Sequence, residues 1–304
     1  MIGPLTDSSG GSVVTIGVYD GVHLGHRGLI AEARRIGEAM SLPVTVLTFD
    51  RHPAELVSPE RAPCLLTDLA QKVELLESTG VARVEVLPFD EERRQETAER
   101  FIDQVLVTRL NARAVVVGQD FHFGNGRSGN VASLEADGRF EVHGLSLVPS
   151  SDGEAVSSTR VRQLLAAGEV EAAAALLGRN HEVRGLVVRG DGRARDLGAP
   201  TANIALASNL CLPAEGIYAG RYRQPGGEPQ PCAISLGRRP TFYGPEGALV
   251  LEAHLLDWEG DLYGQPARVC FSHRLRGQEA YSDSQALAAQ MAADLVDARQ
   301  ALQS

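Results

Sequence analysis

Apolar and polar positions in the first half of the chain alternate between two periods. Short β-branched runs are followed by stretches in which apolar residues recur at helical spacing. This strand–helix order predicts a parallel sheet that helices cover on both faces. The predicted strands are 13–16, 44–49, 84–87, 114–118 and 140–148, and the predicted helices are 27–40, 69–78, 97–110 and 156–177.

The second half of the chain has a different pattern. From residue 181 on, strand-like runs follow one another without intervening helices, which is typical of an antiparallel barrel. These runs are 182–189, 216–222, 232–236, 249–256 and 268–275, and a helix is predicted at about 283–302. We therefore expect a doubly wound α/β domain over 1–179, then an antiparallel β-barrel with a terminal helix over 180–304.

Composition and charge limit the possible partners. A chain of 304 residues can bury two cores. Its net charge of −10 argues against a nucleic acid or a membrane surface as partner. Lys72 is the only lysine and no GxxxxGK[ST] segment occurs, so a P-loop is excluded. With no basic leader and no apolar run near the roughly 18 residues of a membrane helix, we expect a cytoplasmic protein.

The glycine-rich turn after the first predicted strand is the main candidate for chemistry. Residues 17–26 read GVYDGVHLGH and lead directly into a predicted helix. Such a turn points backbone N–H groups and the positive end of a helix at one place, which suits a phosphate. His23 and His26 add two imidazoles that can stabilise or protonate phosphate oxygens. A simple capped surface turn is the alternative interpretation.

Two further loops follow predicted parallel strands. Asp50 and His52 follow the second strand, and Asp120 with Phe121 follows the strand that ends at Gly118. Ligands of doubly wound sheets bind at the carboxyl ends of the strands, so these loops should meet the glycine-rich turn at one edge. Residues 124–129 match GxGxxG literally, but they do not directly follow the first strand, so a dinucleotide fingerprint is rejected.

The segment at 156–162 reads VSSTRVR and opens a helical region. Its hydroxyl residues are typical N-caps, and Arg160 and Arg162 follow in the first turn. Two arginines there could bind phosphate, or they could be solvated side chains on an ordinary helix.

A long polar stretch interrupts the second domain at residues 190–204. Loops of that length are usually functional or disordered. In an extended strand, Thr201 and Asn203 point the same way, so a hydroxyl and an amide oxygen could bind a hard cation beside phosphates. Glu252 and His254 likewise share one face of a later predicted strand. An exposed strand carboxylate without function is the alternative for Glu252.

Taken together, these motifs resemble the bacterial bifunctional riboflavin kinase/FAD synthetase family. HLGH at 23–26 resembles the HxGH signature of nucleotidyltransferases, although HxGH alone would also fit pantetheine-phosphate or nicotinate-mononucleotide adenylyltransferases. GQDFHFGNGRSG at 118–129, SSTRVR at 157–162, PTAN at 200–203 and LEAHLLDWEGDLYG at 251–264 complete the resemblance. It implies a Rossmann-like nucleotidyltransferase domain followed by a riboflavin kinase barrel.

The resemblance also implies two reactions and their residues. Riboflavin would be phosphorylated by ATP in the barrel, with Glu252 as base and Thr201 and Asn203 holding Mg²⁺. FMN would then be adenylylated by a second ATP to FAD in the first domain. The catalytic residues there would be His23, His26, Arg160 and Arg162. The implied ATP- and FMN-binding residues of the first domain are Gly17, Tyr19, Asp20, Gly21, Gly25, Asp50, His52, Gly118, Asp120, Phe121, Phe123, Arg127, Ser157, Ser158 and Thr159. Those implied for ATP and flavin in the barrel are Gly190, Arg193, Arg195, Gly198, Pro200, Arg276 and Tyr281.

The chain departs from the family pattern at a few positions, which keeps alternatives open. Ala155, Ala194, Ser235 and Gln278 replace residues that the family often has there as Lys or Arg, Gly, Asn and Glu, respectively. A paralogue with one inactive module, or a flavin-binding regulator without turnover, would tolerate such changes. The partners that we expect are small molecules alone, bound by a monomer or weak homo-oligomer.

Overall fold

The computed structural model describes residues 10–146, 153–189, 201–238, 249–258, 260–279, 281 and 283–303. The chain divides into two compact units, Met1–Ser158 and Thr159–Ser304. The strands of the first unit are β1 (Ser12–Ile16), β2 (Val44–Phe49), β3 (Arg83–Leu87), β4 (Ala112–Gly118), β5 (His122–Phe123), β6 (Gly129–Asn130) and β7 (Glu141–Leu145). Its helices are α1 (Leu24–Met40), α2 (Ala54–Val57), α3 (Leu69–Glu77), α4 (Glu91–Gln95), α5 (Ala98–Phe101) and α6 (Val131–Asp137).

The described part of the first unit is built on a five-stranded sheet with the order β3-β2-β1-β4-β7. Every neighbouring pair is parallel. The chain adds β2 and β3 on one side of β1 and then crosses to β4 on the other side. Strand order therefore reverses between β1 and β4, and the loops that follow these strands leave a crevice there. The predicted doubly wound sheet is confirmed.

Both faces of this sheet are buried. Successive residues of a strand point to opposite sides, so neighbouring residues lie in different apolar clusters. Val14 and Val115 lie in one apolar cluster, together with Phe101 of α5. Val13 and Val116 lie in another cluster on the opposite face, against α1. The continuous β-branched runs of these strands thus correspond to a sheet between two helical layers.

The helix predicted over 97–110 has an unexpected geometry. Thr97 caps α5 by accepting a hydrogen bond from the N–H of Arg100. The chain then continues as a wider π-helical segment, Ile102–Arg109, which ends where Leu110 N donates to Val105 O at 3.0 Å. The extent of the prediction was close, but apolar periodicity does not reveal the change in winding.

The second unit contains a closed barrel of antiparallel strands. Its strands are β8 (His181–Val188), β9 (Thr201–Ala205), β10 (Gly216–Arg223), β11 (Gln230–Arg238), β12 (Leu249–Leu255) and β13 (Pro266–Arg276). Among the described residues the order around the barrel is β10-β11-β12-β9-β8-β13, and β13 pairs with β10 to close it. The predicted barrel is confirmed. The stretch predicted as a loop over 190–204 is corrected, because its last residues form β9 between β8 and β12.

Three helices accompany the barrel in the described part of the second unit: α7 (Ser158–Ala167), α8 (Val170–Leu177) and α9 (Ser284–Ala301). Ala298 of α9 is buried against Ala219 and Ala233 of the barrel wall, so the predicted terminal helix is confirmed. The carbonyl oxygen at the end of α7, Ala167 O, accepts a hydrogen bond from Arg274 Nη1 at 3.0 Å.

Residues 159–179 lie next to the predicted domain boundary. The sequence pattern assigns residues 159–179 to the first domain, whereas the compact division assigns them to the unit that contains the barrel. The boundary at 179/180 stays a prediction.

The N-cap of α3 offers a test of the first unit's stability. Asp68 Oδ1 accepts a hydrogen bond from Gln71 N at 2.7 Å. We expect Asp68→Ala to lower the free energy of unfolding by about 1 kcal/mol, because an N–H of the first turn loses its acceptor. Asp68→Asn keeps the acceptor and is the matched control. Urea unfolding followed by circular dichroism measures both. Equal stability of the Ala variant and the wild type would contradict the capping role.

Candidate active sites

The turn between β1 and α1 has a strained, well-supported backbone. Tyr19 has φ 53°, Gly21 has φ 84° and Val22 has φ 41°, although left-handed φ values are rare for β-branched residues. The buried Tyr19 hydroxyl lies 2.6 Å from Thr15 Oγ1, and its burial raises the pKa of the phenol. Strain of this kind persists only where the surroundings determine the conformation, and it is concentrated at functional sites.

His23 begins α1 and stacks on His26. His23 Nδ1 accepts the backbone N–H of His26 at 3.3 Å, so the imidazole acts as the N-cap. The two rings are nearly parallel, with centroids 3.6 Å apart. Because Nδ1 is an acceptor, the proton of a neutral His23 lies on Nε2. His23 is thereby prepared to donate a hydrogen bond from the beginning of a helix, where anions bind favourably.

His26 is held in its neutral form. Burial lowers its pKa well below the usual value of 6.5, and the nearby His23 and Lys72 lower it further. Its Nδ1 is inaccessible to solvent and has no hydrogen-bond partner among the described residues. The residue as a whole, backbone included, is half-buried. A neutral imidazole can accept a proton or a hydrogen bond from a ligand.

Asp20 and Asp50, both predicted as ligand-binding residues, hold loops in place. The Asp20 carboxylate accepts hydrogen bonds from Leu66 N at 3.0 Å and Thr67 N at 3.1 Å. Asp50 Oδ1 accepts one from Phe89 N at 2.8 Å. Each carboxylate therefore fixes a loop that follows a central strand to a neighbouring segment.

The other strand-end residues divide between the surface and the core. His52 Nδ1 accepts the N–H of Ala54 at the start of α2. Phe123 is buried and packs on Phe101, so it belongs to the core, whereas Phe121 stacks on it from a partly exposed position. Gly118 ends β4, and Asp120 and Arg127 are exposed in the loop that follows.

Residues 156–158, at the end of the first unit, contact the glycine-rich turn. Ser158 Oγ donates a hydrogen bond to Asp20 O at 2.8 Å. A Cβ on Gly25 would lie 3.0 Å from Val156 O and 3.1 Å from the His23 ring, so glycine permits this approach. Ser157 and Ser158 are partly buried and Thr159 is exposed, while Arg160 and Arg162 flank a buried valine in the first turn of α7.

The predicted kinase residues face one another across two strands of the barrel. Glu252 of β12 pairs with Asn203 of β9, and His254 pairs with Thr201. Thr201 Oγ1 and His254 Nδ1 are 2.8 Å apart. The alternation predicted for β12 is confirmed, because Leu251, on the opposite face from Glu252, is fully buried.

Of the other residues predicted for the kinase site, only Arg276 and Tyr281 lie in the described part of the chain. Gly190, Arg193, Arg195, Gly198 and Pro200 lie outside the described residues. Arg276 forms an ion pair with Asp294, with Nη2 and Oδ2 2.7 Å apart, and its guanidinium lies 5.9 Å from the centre of the Tyr281 ring.

Two departures from the family pattern are in contact. Gln278 Nε2 lies 3.3 Å from Ser235 Oγ, and it also donates to Leu236 O at 3.0 Å. Ser235 is the β11 partner of Glu252, so this pair lies beside the candidate base.

The donor set around Thr201 fits a magnesium ion that a nucleotide brings with it. The described residues contain no group of three or more His, Cys, Asp or Glu side chains that could hold a metal. Thr201 and Asn203 supply neutral oxygen atoms, and Mg²⁺ commonly takes few protein ligands together with substrate phosphates and water.

Comparison with known proteins agrees with this geometry. A family model described as FAD synthetase matches residues 5–160, and one described as riboflavin kinase matches residues 177–302. A bifunctional riboflavin kinase/FMN adenylyltransferase of Escherichia coli strain K12 is 37% identical over 95% of this chain and 92% of its own. The chain belongs to this bifunctional family. The enzyme of the same name from Pseudomonas fluorescens is 38% identical over 95% of this chain and 92% of its own.

A solved structure matches over nearly the whole chain. It is described as a macrolide-efflux protein from Streptococcus pneumoniae, with TM-score 0.86 and 30% identity, and the match covers 98% of this chain and 95% of that one. Neither family model that matches this chain describes efflux. No helix in the described ranges is long and apolar enough to cross a membrane.

Lys72 is the residue at this site that the motifs did not reveal. It lies on α3, is 6% exposed, and donates to the carbonyl oxygens of Phe49 and Val18. The one feature of the sequence that could have drawn attention to Lys72 is that it is the only lysine of the chain.

The lowered pKa of His26 predicts a pH-dependent stability. The unfolded chain binds a proton at this residue below about pH 6.5, whereas the folded chain does not, so stability falls as the pH falls through this range. When the pH is lowered from 7.5 to 5.5, the free energy of unfolding of His26→Gln should fall by about 1 kcal/mol less than that of the wild type. Urea unfolding at both pH values measures this difference.

The exposed Gln104 supplies the control, since Gln104→Asn changes no titratable group and should keep the wild-type pH dependence. If His26→Gln and the wild type lost the same free energy, the folded protein would have to accept a proton at His26, contrary to its burial.

Proposed function

We propose that the barrel transfers the γ-phosphoryl group of ATP to riboflavin, and that the N-terminal domain, residues 1–179, joins the resulting FMN to AMP from a second ATP. The products are FMN and ADP, then FAD and pyrophosphate. The observation that carries the proposal is the cross-strand arrangement of Glu252, Asn203, Thr201 and His254 in a chain that also holds the His23–His26 pair at a helix N-terminus. An adenylyltransferase that acts on a different small phosphate compound would have no use for the arrangement of Glu252, Asn203, Thr201 and His254 in the barrel.

In the kinase step, the ribityl 5′-hydroxyl oxygen attacks the γ-phosphorus and ADP leaves. Glu252 accepts the hydroxyl proton, which is the role of the carboxylate base in phosphoryl transfer. Thr201 and Asn203 would hold Mg²⁺, which would neutralise phosphate charge. His254 Nδ1, 2.8 Å from Thr201 Oγ1, fixes the direction of that hydroxyl.

In the adenylyl step, a phosphate oxygen of FMN attacks the α-phosphorus of ATP and pyrophosphate leaves. The nucleophile is already ionised, so the site needs positioning and charge stabilisation rather than a base. His23 donates a hydrogen bond from Nε2 to a phosphate oxygen, and His26 stabilises the developing charge beside it. The N–H groups at the start of α1 add to this. Arg160 and Arg162 bind the remaining phosphate charge.

The other expected properties complete the proposal. Mg²⁺ accompanies ATP, the protein acts in the cytoplasm as a monomer or weak homo-oligomer, and the functional boundary falls at 179/180. The remaining predicted residues bind ATP and flavin in the two modules. Of the alternatives, an inactive kinase module or a regulator without turnover is disfavoured by the intact pairing of Glu252 with Asn203.

The first experiment is a time course of riboflavin with Mg-ATP, with the flavins separated by chromatography. We expect FMN to appear and then to decline as FAD forms. FMN that accumulates without FAD would show that the first unit is inactive as an adenylyltransferase. A reaction that yields no FMN, but gives FAD from added FMN, would restrict the function to the first unit.

Glu252→Gln tests the base. The amide keeps the size of the side chain but cannot accept the proton, so FMN formation should fall by at least about 100-fold. FAD formation from supplied FMN should stay unchanged. Glu228→Gln, in the exposed turn between β10 and β11, is the matched control. Wild-type FMN formation in Glu252→Gln would exclude a base role for Glu252.

His23→Ala and His23→Asn test the imidazole donor. Asparagine can still cap α1 through its side-chain oxygen, but it lacks the imidazole N–H. Both variants should lose FAD formation by about 100-fold, because a donor to the developing phosphate charge is missing. FMN should then accumulate from riboflavin. If His23→Asn kept full FAD formation, capping alone would account for the histidine.

A further inference from the structure

We propose that Lys72 is a positioning residue of the adenylyltransferase site, because its ammonium group joins the carboxyl ends of β1 and β2 and thereby sets the turn that carries His23 and His26. The inference rests on the proposed function of the first unit. It concerns a residue that none of the motifs contains.

The contacts of Lys72 place it beneath the site. Nζ donates to Phe49 O at 2.7 Å and to Val18 O at 3.3 Å. Val18 belongs to the turn after β1, and Phe49 is the last residue of β2, directly before Asp50. One side chain from α3 therefore links the ends of two adjacent parallel strands. Thr48 Oγ1 also donates to Val18 O, at 3.1 Å, so this carbonyl is held from two sides.

Burial makes Lys72 unusual for its residue type, since lysine is almost never fully buried without partners. Desolvation lowers its pKa, while the carboxylates of Asp20, Asp50 and Glu55 act in the opposite direction. Asp20 and Asp50 are the carboxylates whose hydrogen bonds fix the two strand-end loops. The cation thus lies among the groups that hold the site together, and a neutral side chain would remove one of the positive charges that act on their carboxylates.

A buried position argues for positioning rather than for direct contact with phosphate. Only 6% of Lys72 is exposed, and its ammonium group donates to two backbone oxygens of the protein itself. An ammonium group can serve two carbonyls that converge on one point, whereas the planar guanidinium of arginine needs a wider arrangement. The residue therefore acts on substrate through the backbone that it fixes.

The charge of Lys72 also acts on His26. Lys72 and His23 together disfavour protonation of His26, in addition to burial, so the ammonium helps to keep this imidazole neutral. The charged and titratable groups around the pair are His23 at the N-cap of α1, Tyr19 and Asp20 from the turn, and Asp50 and Glu55 from the segment after β2. Removal of the lysine charge should make His26 easier to protonate.

The test compares Lys72→Met and Lys72→Arg with the wild type in FAD formation from supplied FMN across pH 5.5 to 8.5. For Lys72→Met we expect kcat/KM to fall by about 100-fold at neutral pH, as for a displaced catalytic group. We also expect its decline on the acidic side to begin at higher pH. Lys72→Arg should lose rate but keep the wild-type acidic decline, since the charge remains.

The same chain provides the control for folding. FMN formation by the barrel should be unchanged in both variants, and circular dichroism should match the wild type. A uniform loss of rate with an unmoved pH profile, or full activity of Lys72→Met, would overturn the proposal. If the wild type itself forms no FAD from FMN, the proposed function fails instead, so the two failures are distinguishable.

A second measurement needs no variant. Because Lys72 is the only lysine, a protein labelled with ¹³Cε-lysine gives one side-chain signal in nuclear magnetic resonance spectra. We expect this signal to shift when ATP is added, as the turn above it binds phosphate. We expect it to titrate below the ordinary lysine range. An unmoved signal at saturating ATP would count against a role of Lys72 in this site.

Discussion

The first unit depends on one strained connection, the turn from β1 into α1. Its left-handed residues include a buried tyrosine and a β-branched valine, which would not adopt this backbone in isolation. Three interactions tie this conformation to other segments: Asp20 accepts from the backbone of residues 66–67, Tyr19 bonds to Thr15 of β1, and Lys72 of α3 donates to Val18 O. A site fixed in this way before substrate arrives does not have to be organised during the reaction, which is the main source of electrostatic catalysis.

The two units assemble their chemistry by different means. The parallel sheet collects loops at one edge, so its functional groups come from segments that are distant in sequence and need braces such as Asp50 to hold them. The barrel instead uses strand register. Once β9 pairs with β12, Asn203 must lie opposite Glu252 and Thr201 opposite His254. A shift of β9 by one residue would turn Thr201 and Asn203 to the other face, away from Glu252 and His254.

The strands of the first unit could be predicted well from the sequence, because strands that are buried on both faces consist of continuous runs of β-branched and apolar residues. Residues 201–204 were predicted as part of a loop, because this short segment contains only two apolar residues. The strand that pairs with it, β12, lies some fifty residues further along the chain, so no local pattern indicates β9. The sequence revealed His23 by motif but not its capping bond. It predicted Asp20 as a ligand-binding residue but did not reveal the hydrogen bonds that its carboxylate accepts from Leu66 N and Thr67 N. Such roles follow from tertiary hydrogen bonds, which no local pattern encodes.

Two of the departures from the family pattern form a single structural change. Ser235 and Gln278 contact each other beside Glu252, so the two exchanges belong to one local change of hydrogen bonding. A serine hydroxyl and a glutamine amide form a neutral pair that leaves no buried charge behind, and the register of Glu252 is intact. Changes that compensate one another in contact are expected where a site is maintained. These two positions therefore do not argue for an inactive kinase module, and the case for one would have to rest on residues outside the Glu252 strand.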